Sequence, residues 1–218
     1  MLFRSDAWHD HPAVQATLAE ASEALGEDIG RLIHEGPKET LALTTHTQPV
    51  MLVAGVAAYR VWQAEGGAPP AFVAGHSLGE YSALVVSGVL TLAQAVPLVR
   101  LRAQAMQDAV AVGAGAMAAV LGLPAARVVE VCAQAQASFG AGSDEVVQAA
   151  NFNDPGQTVI SGSKLAVDQA CERLKAAGAK RTLLLPVSAP FHCPLMQPAA
   201  ERLREHLAGM ALQPQPSP

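Results

Sequence analysis

The sequence predicts a mixed α/β fold built in two parts, and three observations carry that expectation. A short apolar run, Ala71-Phe72-Val73-Ala74, leads directly into Gly75-His76-Ser77-Leu78-Gly79 and then into an apolar stretch. That is the pattern of a buried strand, a tight turn and a helix. From Gly115 to Val187 the hydrophobic periods alternate in the order β-α-β-β-α-β. Half of the 218 residues are apolar and only 15% are charged, which supports a packed core and excludes intrinsic disorder.

Taken in order, residues 12–34 are rich in Ala, Leu and Glu and read as one helix. A second helix is expected over Pro49–Glu65, closed by Gly66-Gly67 and Pro69-Pro70. After the strand at 71–74 and the glycine-flanked turn, an apolar helix runs to about Ser87, and Gly88 ends it. Thr91 with Gln94 three residues on resembles a capping box that opens the next helix. That helix reaches about Val110, with Pro97 a kink or a late start. Next come a strand over Met117–Leu123, a helix over Ala125–Ala137 and a Gly/Ser loop at 140–143. Strands at Val146–Phe152 and Thr158–Ser161 flank a turn at Asp154-Pro155-Gly156. A helix over Lys164–Ala177 ends at Gly178, and a last strand covers Arg181–Val187. This order is that of a ferredoxin-like unit. It reads as an insertion between the helices before it and the segment Ser188-Ala189-Pro190-Phe191-His192 after it. The tail, Gln213-Pro214-Gln215-Pro216-Ser217-Pro218, is neither helix nor central strand.

Composition narrows the function classes. Fourteen Lys and Arg against 19 Asp and Glu give a net charge of -5. With aromatics at 4%, neither a basic footprint nor a stacking platform for nucleic acid is present. Cys132, Cys171 and Cys193 are too scattered for a disulfide framework, so a reduced, cytoplasmic setting is the simplest expectation. Residues 1–6 hold no apolar signal core. The uncharged window Tyr81–Val99 is broken by Ser82, Ser87, Gly88, Thr91, Gln94 and Pro97. It reads as two buried helices rather than a membrane span.

Gly75-His76-Ser77-Leu78-Gly79 fits G-x-S-x-G. In such an elbow a tight strand-to-helix turn lifts the serine oxygen clear of its neighbours. The new helix then points free N–H groups, here that of Leu78, at an oxyanion. Small residues on either side keep the turn from clashing. A serine nucleophile needs a base. Of the seven histidines, His192 follows the apolar run Leu183–Val187, and parallel sheets present working groups at strand ends. A merely structural role for His192 is the alternative. Cys193 beside it reads as a buried filler rather than a reactive thiol. On a helical wheel of residues 92–110, Arg102 is the one charge inside an apolar arc of about 160°. A guanidinium there needs an anion. Either a protein carboxylate or a substrate carboxylate would serve.

The segment Gly75-His76-Ser77-Leu78-Gly79-Glu80-Tyr81-Ser82-Ala83-Leu84 resembles the nucleophile region of malonyl-CoA:acyl carrier protein transacylases. Arg102, Thr47-Gln48-Pro49, Asn151–Gln157 and the segment ending at His192 resemble that family as well. The resemblance covers nearly the whole chain. It implies an α/β-hydrolase-like large subdomain with an incomplete parallel sheet (1–112 and 187–218) and a ferredoxin-like small subdomain (113–186). It implies a malonyl transfer from malonyl-CoA to the pantetheine arm of acyl carrier protein, with no metal, no bound cofactor, no nucleic acid and no membrane. Ser77 would be the nucleophile, His192 the base and Arg102 the carboxylate holder. Leu78 would supply an oxyanion N–H, and Gln48 would line the pocket. Leu78 after the serine and the bulk of Phe191 favour malonyl over methylmalonyl. The family histidine is oriented by a backbone carbonyl, so no third acid is expected. Acyl carrier proteins are acidic, and Arg173, Lys175, Lys180 and Arg181 are candidate contacts, with an ordinary solvated surface as the favoured alternative. Against the family pattern the chain begins after the Gly-Gln-Gly-Ser-Gln turn and stops about a third short, so a fragment of reduced activity is expected. A thioesterase, a polyketide-synthase acyltransferase and an inactive carrier-binding fragment are the alternatives.

Overall fold

A computed structural model describes residues 8–213. The N-terminal segment read as lacking a signal core and the Pro-rich tail from 214 lie outside the described residues. Contacts divide the chain into two units: Met1–Gln104 with His206–Pro218, and Ala105–Glu205.

The first unit is helical. It contains α1 (Pro12–Leu25), α2 (Ile29–Glu35), α3 (Lys38–Ala42), α4 (Thr44–Ala64), α5 (Gly79–Val86) and most of α6 (Leu92–Asp108). Its centre is α4, which packs against α1, α3 and α5. Residues 12–34 form two helices rather than one. Gly26 is left-handed at φ 66°, and the Glu27 N–H reaches back to the Ser22 carbonyl. Asp28 then caps α2 by accepting from the Arg31 N–H at 2.8 Å. A glycine stop followed two residues later by an acidic start breaks a helix that composition alone reads as continuous. The helix expected from Pro49 begins at Thr44 and carries Pro49 inside it. Within that extra turn the Thr47 hydroxyl donates to the Leu43 carbonyl at 3.0 Å.

The capping box at α6 forms as expected. The Gln94 N–H donates to the Thr91 hydroxyl at 3.1 Å, and the Thr91 N–H donates to Gln94 Oε1 at 3.0 Å. Pro97 lies within α6 without ending it. The apolar arc is the core-facing side: Leu92, Ala95, Val96, Leu98, Val99 and Ala103 are all buried.

Two further expectations in this unit fail. The run 71–74 is not a strand, and Phe72 is 93% exposed. A strand exists through the hydrogen bonds of a neighbour. Among the described residues the one sheet is antiparallel and belongs to the second unit, so no parallel sheet is formed. In the same way α5, apolar as it is, buries none of its side chains fully. The window Tyr81–Val99 therefore resolves into a half-exposed helix and the start of a buried one. Among the described residues no helix is long and apolar enough to cross a membrane.

The second unit holds β1 (Gly115–Leu121), α7 (Ala125–Ala137), β2 (Val147–Asp154), β3 (Gln157–Ser163), α8 (Lys164–Ala176), β4 (Arg181–Leu184), a 3-10 turn at Pro194–Met196, and most of α9 (Gln197–Ala208). The β-α-β-β-α-β order is as the periodicity predicts. The strands lie in the order β2-β3-β1-β4, and every adjacent pair is antiparallel. Strand parity sorts the side chains. Ala118, Val120, Val147 and Ile160 face the helices and pack with Val128, Val131, Cys132, Ala170 and Leu174. Met117, Ala119 and Val159 alternate with them and are buried on the other face. β4 is shorter than its apolar run. The Leu185 N–H still donates to the Met117 carbonyl at 2.8 Å, but Pro186 has no N–H with which to continue the ladder.

Candidate active site

The turn before α5 has the backbone of a nucleophile elbow. Ser77 lies at φ 53° and His192 at φ 59°, and they are the two non-glycine residues with positive φ among the described residues. That conformation costs a residue with a Cβ about 1–2 kcal/mol, and such strain clusters at working sites. The turn is closed by three backbone bonds. The Gly79 N–H donates to the His76 carbonyl at 2.9 Å, Glu80 to Ser77 at 3.2 Å, and Tyr81 to Leu78 at 3.0 Å. The Leu78 N–H takes part in none of these bonds and stands at the helix start, where backbone donors lack helical partners.

Glycine is needed on one side of this turn. A Cβ added at Gly75 would lie 1.9 Å from the Gly79 carbonyl carbon and 2.0 Å from its oxygen, whereas one added at Gly79 meets nothing within 4 Å. The symmetric requirement expected from the motif thus holds at position 75 alone. Gly75→Ala is expected to destabilise the chain by about 1–3 kcal/mol. It should also remove most reactivity of Ser77 toward a fluorophosphonate probe. Thermal unfolding and labelling measured on the same preparation check both effects.

Arg102 reaches the serine from α6. One guanidinium nitrogen donates to Ser77 Oγ at 3.0 Å, and the other terminal nitrogen donates to Gln48 Oε1. The guanidinium carbon lies 5.5 Å from the centre of the Tyr81 ring, within cation–π range. Gln48 is buried on α4, and its amide nitrogen donates to the Thr44 hydroxyl at 2.9 Å. That bond turns the amide oxygen toward Arg102. Arg31, Arg60, Arg100, Arg127 and Arg202 each pair with a carboxylate. Among the described residues Arg102 pairs with none. Of the two anions that the helical wheel left open, a protein carboxylate is therefore not the one in place.

Burial pushes the Arg102 pKa down, and Tyr81 and Glu80 pull it back up. An arginine stays charged under such shifts. Burial pushes the Tyr81 phenol up, against the pull of Arg102, so a neutral ring faces the cation at neutral pH. Arginine only donates hydrogen bonds. Ser77 Oγ is therefore the acceptor in its bond with Arg102, and its own hydrogen is directed elsewhere.

The first unit thus gathers Ser77, Leu78, Arg102 and Gln48. It adds Thr44 and Tyr81, which the sequence reading missed. Tyr81 lies in the first turn of α5, directly after the elbow, and its closeness to Ser77 along the chain is the signal that could have found it.

Phe191 and His192 belong to the second unit, in a loop after β4. Phe191 packs beside Ala105, Met106, Ala189, Met196 and Ala199. The His192 carbonyl accepts from Gln148 Nε2 at 3.2 Å. Cys193 is 6% exposed, its thiol donates to the Pro190 carbonyl at 3.1 Å, and burial pushes its pKa up. It is a buried thiol, as expected, and not a thiolate. Several other histidines have structural partners: His11 meets Glu65 at 3.1 Å, His46 meets Glu27 at 3.4 Å, and His9 stacks edge-on against His34. Arg173, Lys175, Lys180 and Arg181 are all exposed, and Lys175 is held by Glu172 at 2.8 Å.

Residues 7–218 match the family described as "Acyl transferase domain". The malonyl CoA-acyl carrier protein transacylase of Escherichia coli K12 is 52% identical over 204 residues, which cover 94% of this chain and 64% of that protein. The acyl-carrier-protein S-malonyltransferase of Burkholderia pseudomallei 1710b superposes with a TM-score of 0.90 at 56% identity, covering 95% of this chain and 66% of that one. A malonyl-transacylase solved in complex with a type II PKS acyl-carrier protein superposes with a TM-score of 0.90 at 47% identity, covering 96% and 66%. The chain spans about 64% of the length of the curated relatives it matches.

Proposed function

The chain belongs to the acyl transferase domain family, and from that premise we propose that it moves a malonyl group from malonyl-CoA to the phosphopantetheine thiol of acyl carrier protein. The observation that carries this reading is Arg102. It is a half-buried cation with no carboxylate partner among the described residues, and it is bonded to the hydroxyl of a serine in an elbow. A hydrolase of simple esters has the elbow but no use for the cation. An enzyme for a diacid thioester uses both.

In this reading Ser77 Oγ attacks the thioester carbonyl while His192 takes the hydroxyl proton. The Leu78 N–H meets the oxyanion. The tetrahedral intermediate collapses, the carbon–sulfur bond breaks, and His192 returns the proton to the leaving coenzyme A thiolate. The carrier thiol then reverses the sequence and frees Ser77. Arg102 holds the malonyl carboxylate and Gln48 steadies Arg102. No metal or bound cofactor takes part.

Leu78 and Phe191 are read as walls that favour malonyl over its α-methyl analogue, a discrimination of about 1–3 kcal/mol for one methyl group. The finer architecture belongs to the same reading. It comprises an α/β-hydrolase-like subdomain over 1–112 and 187–218, and a ferredoxin-like one over 113–186. A cytoplasmic setting is supported by three free, buried cysteines.

The test is direct. The chain is incubated with malonyl-CoA and weighed intact, then mixed with holo acyl carrier protein. Gain of one malonyl group on Ser77, followed by its appearance on the carrier, is the expected course. Release of free malonate at the same rate with and without the carrier would make it a thioesterase instead.

A further inference from the structure

The loop from Ser188 to Cys193 lies outside every helix and strand, yet it holds a histidine in a conformation that a Cβ resists. Something must hold it there. Within the second unit the loop carbonyls are tied one after another. Gln107 Nε2 donates to the Ser188 carbonyl at 3.5 Å, the Phe191 N–H to Ala189 at 3.1 Å, and the Cys193 thiol to Pro190 at 3.1 Å. The Pro190 ring also sits directly on Gly115 of β1, where an added Cβ would lie 2.3 Å from its Cγ. The His192 carbonyl is tied by Gln148 Nε2 at 3.2 Å.

Gln148 is placed for this by strand parity and a bulge. Its neighbour Val147 faces α7 and α8 in the core, so Gln148 faces the opposite side of the sheet. The 3-10 turn that follows His192 contacts β3, the strand paired with β2. Ala149 pairs with Ile160 and Asn151 with Val159, so Ala150 is one residue too many on β2. Such a bulge re-aims the side chains beside it.

We propose that Gln148 is a positioning residue for His192: its amide, donating to the His192 carbonyl, holds the left-handed backbone that presents the imidazole. The proposal deepens the reading of His192 as the base and rests on it for its catalytic consequence. Its structural consequence can be read separately.

Two variants test it. Gln148→Ala removes the side chain, and Gln148→Glu keeps the size but loses the donor at neutral pH. Both are expected to slow malonyl-serine formation about fivefold, the worth of one neutral hydrogen bond, with KM for malonyl-CoA unchanged. In both, amide hydrogen exchange across residues 188–193 should rise by a similar factor, while α7 and α8 exchange as before. A Gln148→Glu protein that keeps the wild-type rate and protection would reduce Gln148 to a space-filler. Unchanged exchange across 188–193 in Gln148→Ala overturns the proposal whether or not the chain acylates. Absence of a malonyl adduct on the wild type, with the exchange effect intact, would instead overturn the reading of the reaction.

Discussion

Ser77→Ala is expected to form no malonyl adduct and to lose transfer by a factor of about 10⁴–10⁶, the range seen when a serine nucleophile is removed. The size of the loss follows from covalency. In the proposed mechanism His192, the Leu78 N–H and Arg102 would still bind and polarise the thioester, but no ester could form for the carrier thiol to collect. The variant keeps the Cβ and hence the same backbone preference at φ 53°, so its thermal unfolding should stay close to that of the parent. Intact mass after incubation with malonyl-CoA, beside an unfolding curve, separates lost chemistry from lost fold. A persistent adduct on the variant would place the nucleophile elsewhere.

Arg102→Ala carries the second largest effect. Removing one partner of a desolvated, hydrogen-bonded charge pair costs about 2–5 kcal/mol, so malonyl transfer should fall by about 30-fold to several thousand-fold. Acetyl transfer, which offers no second carboxylate, should fall much less and gain in relative terms. The same deletion takes a donor from Ser77 Oγ and from Gln48 Oε1, so a modest loss for acetyl is expected too. Rates with malonyl-CoA and acetyl-CoA, taken on one preparation, check the split. Equal losses for both substrates would make the arginine a prop for the serine and nothing more.

What could be read ahead of the structure followed how local the controlling forces are. The Thr91–Gln94 box, the bounds of α7 and the order of the second unit rest on contacts within a few residues or within one sheet, and their patterns are plain in the chain. The elbow was legible because only a few residue types fit such a turn. The run 71–74 was misread because apolarity marks a capacity for pairing, and pairing needs a neighbour that no local pattern can supply. The break at Gly26 was missed for the opposite reason: a glycine stop and the Asp28 cap overrode a composition that favoured one helix at 12–34. The early start of α4 at Thr44 was missed because Pro49 reads as a boundary, whereas the helix carries it inside. Arg102 stood out by its position on the wheel, and Gln48 was named through the family resemblance, but the contact between them was not visible. Thr44 and Gln48 on α4 and Tyr81 on α5 reach it only through the packing of helices.

If Ser77 and His192 act as proposed, their left-handed backbone sets heat resistance against turnover at these two positions. Glycine would relax either one by removing the Cβ that resists positive φ. A laboratory selection that rewarded endurance alone would therefore drift toward glycine at 77 and 192, and its winners would outlast the parent while doing none of its work.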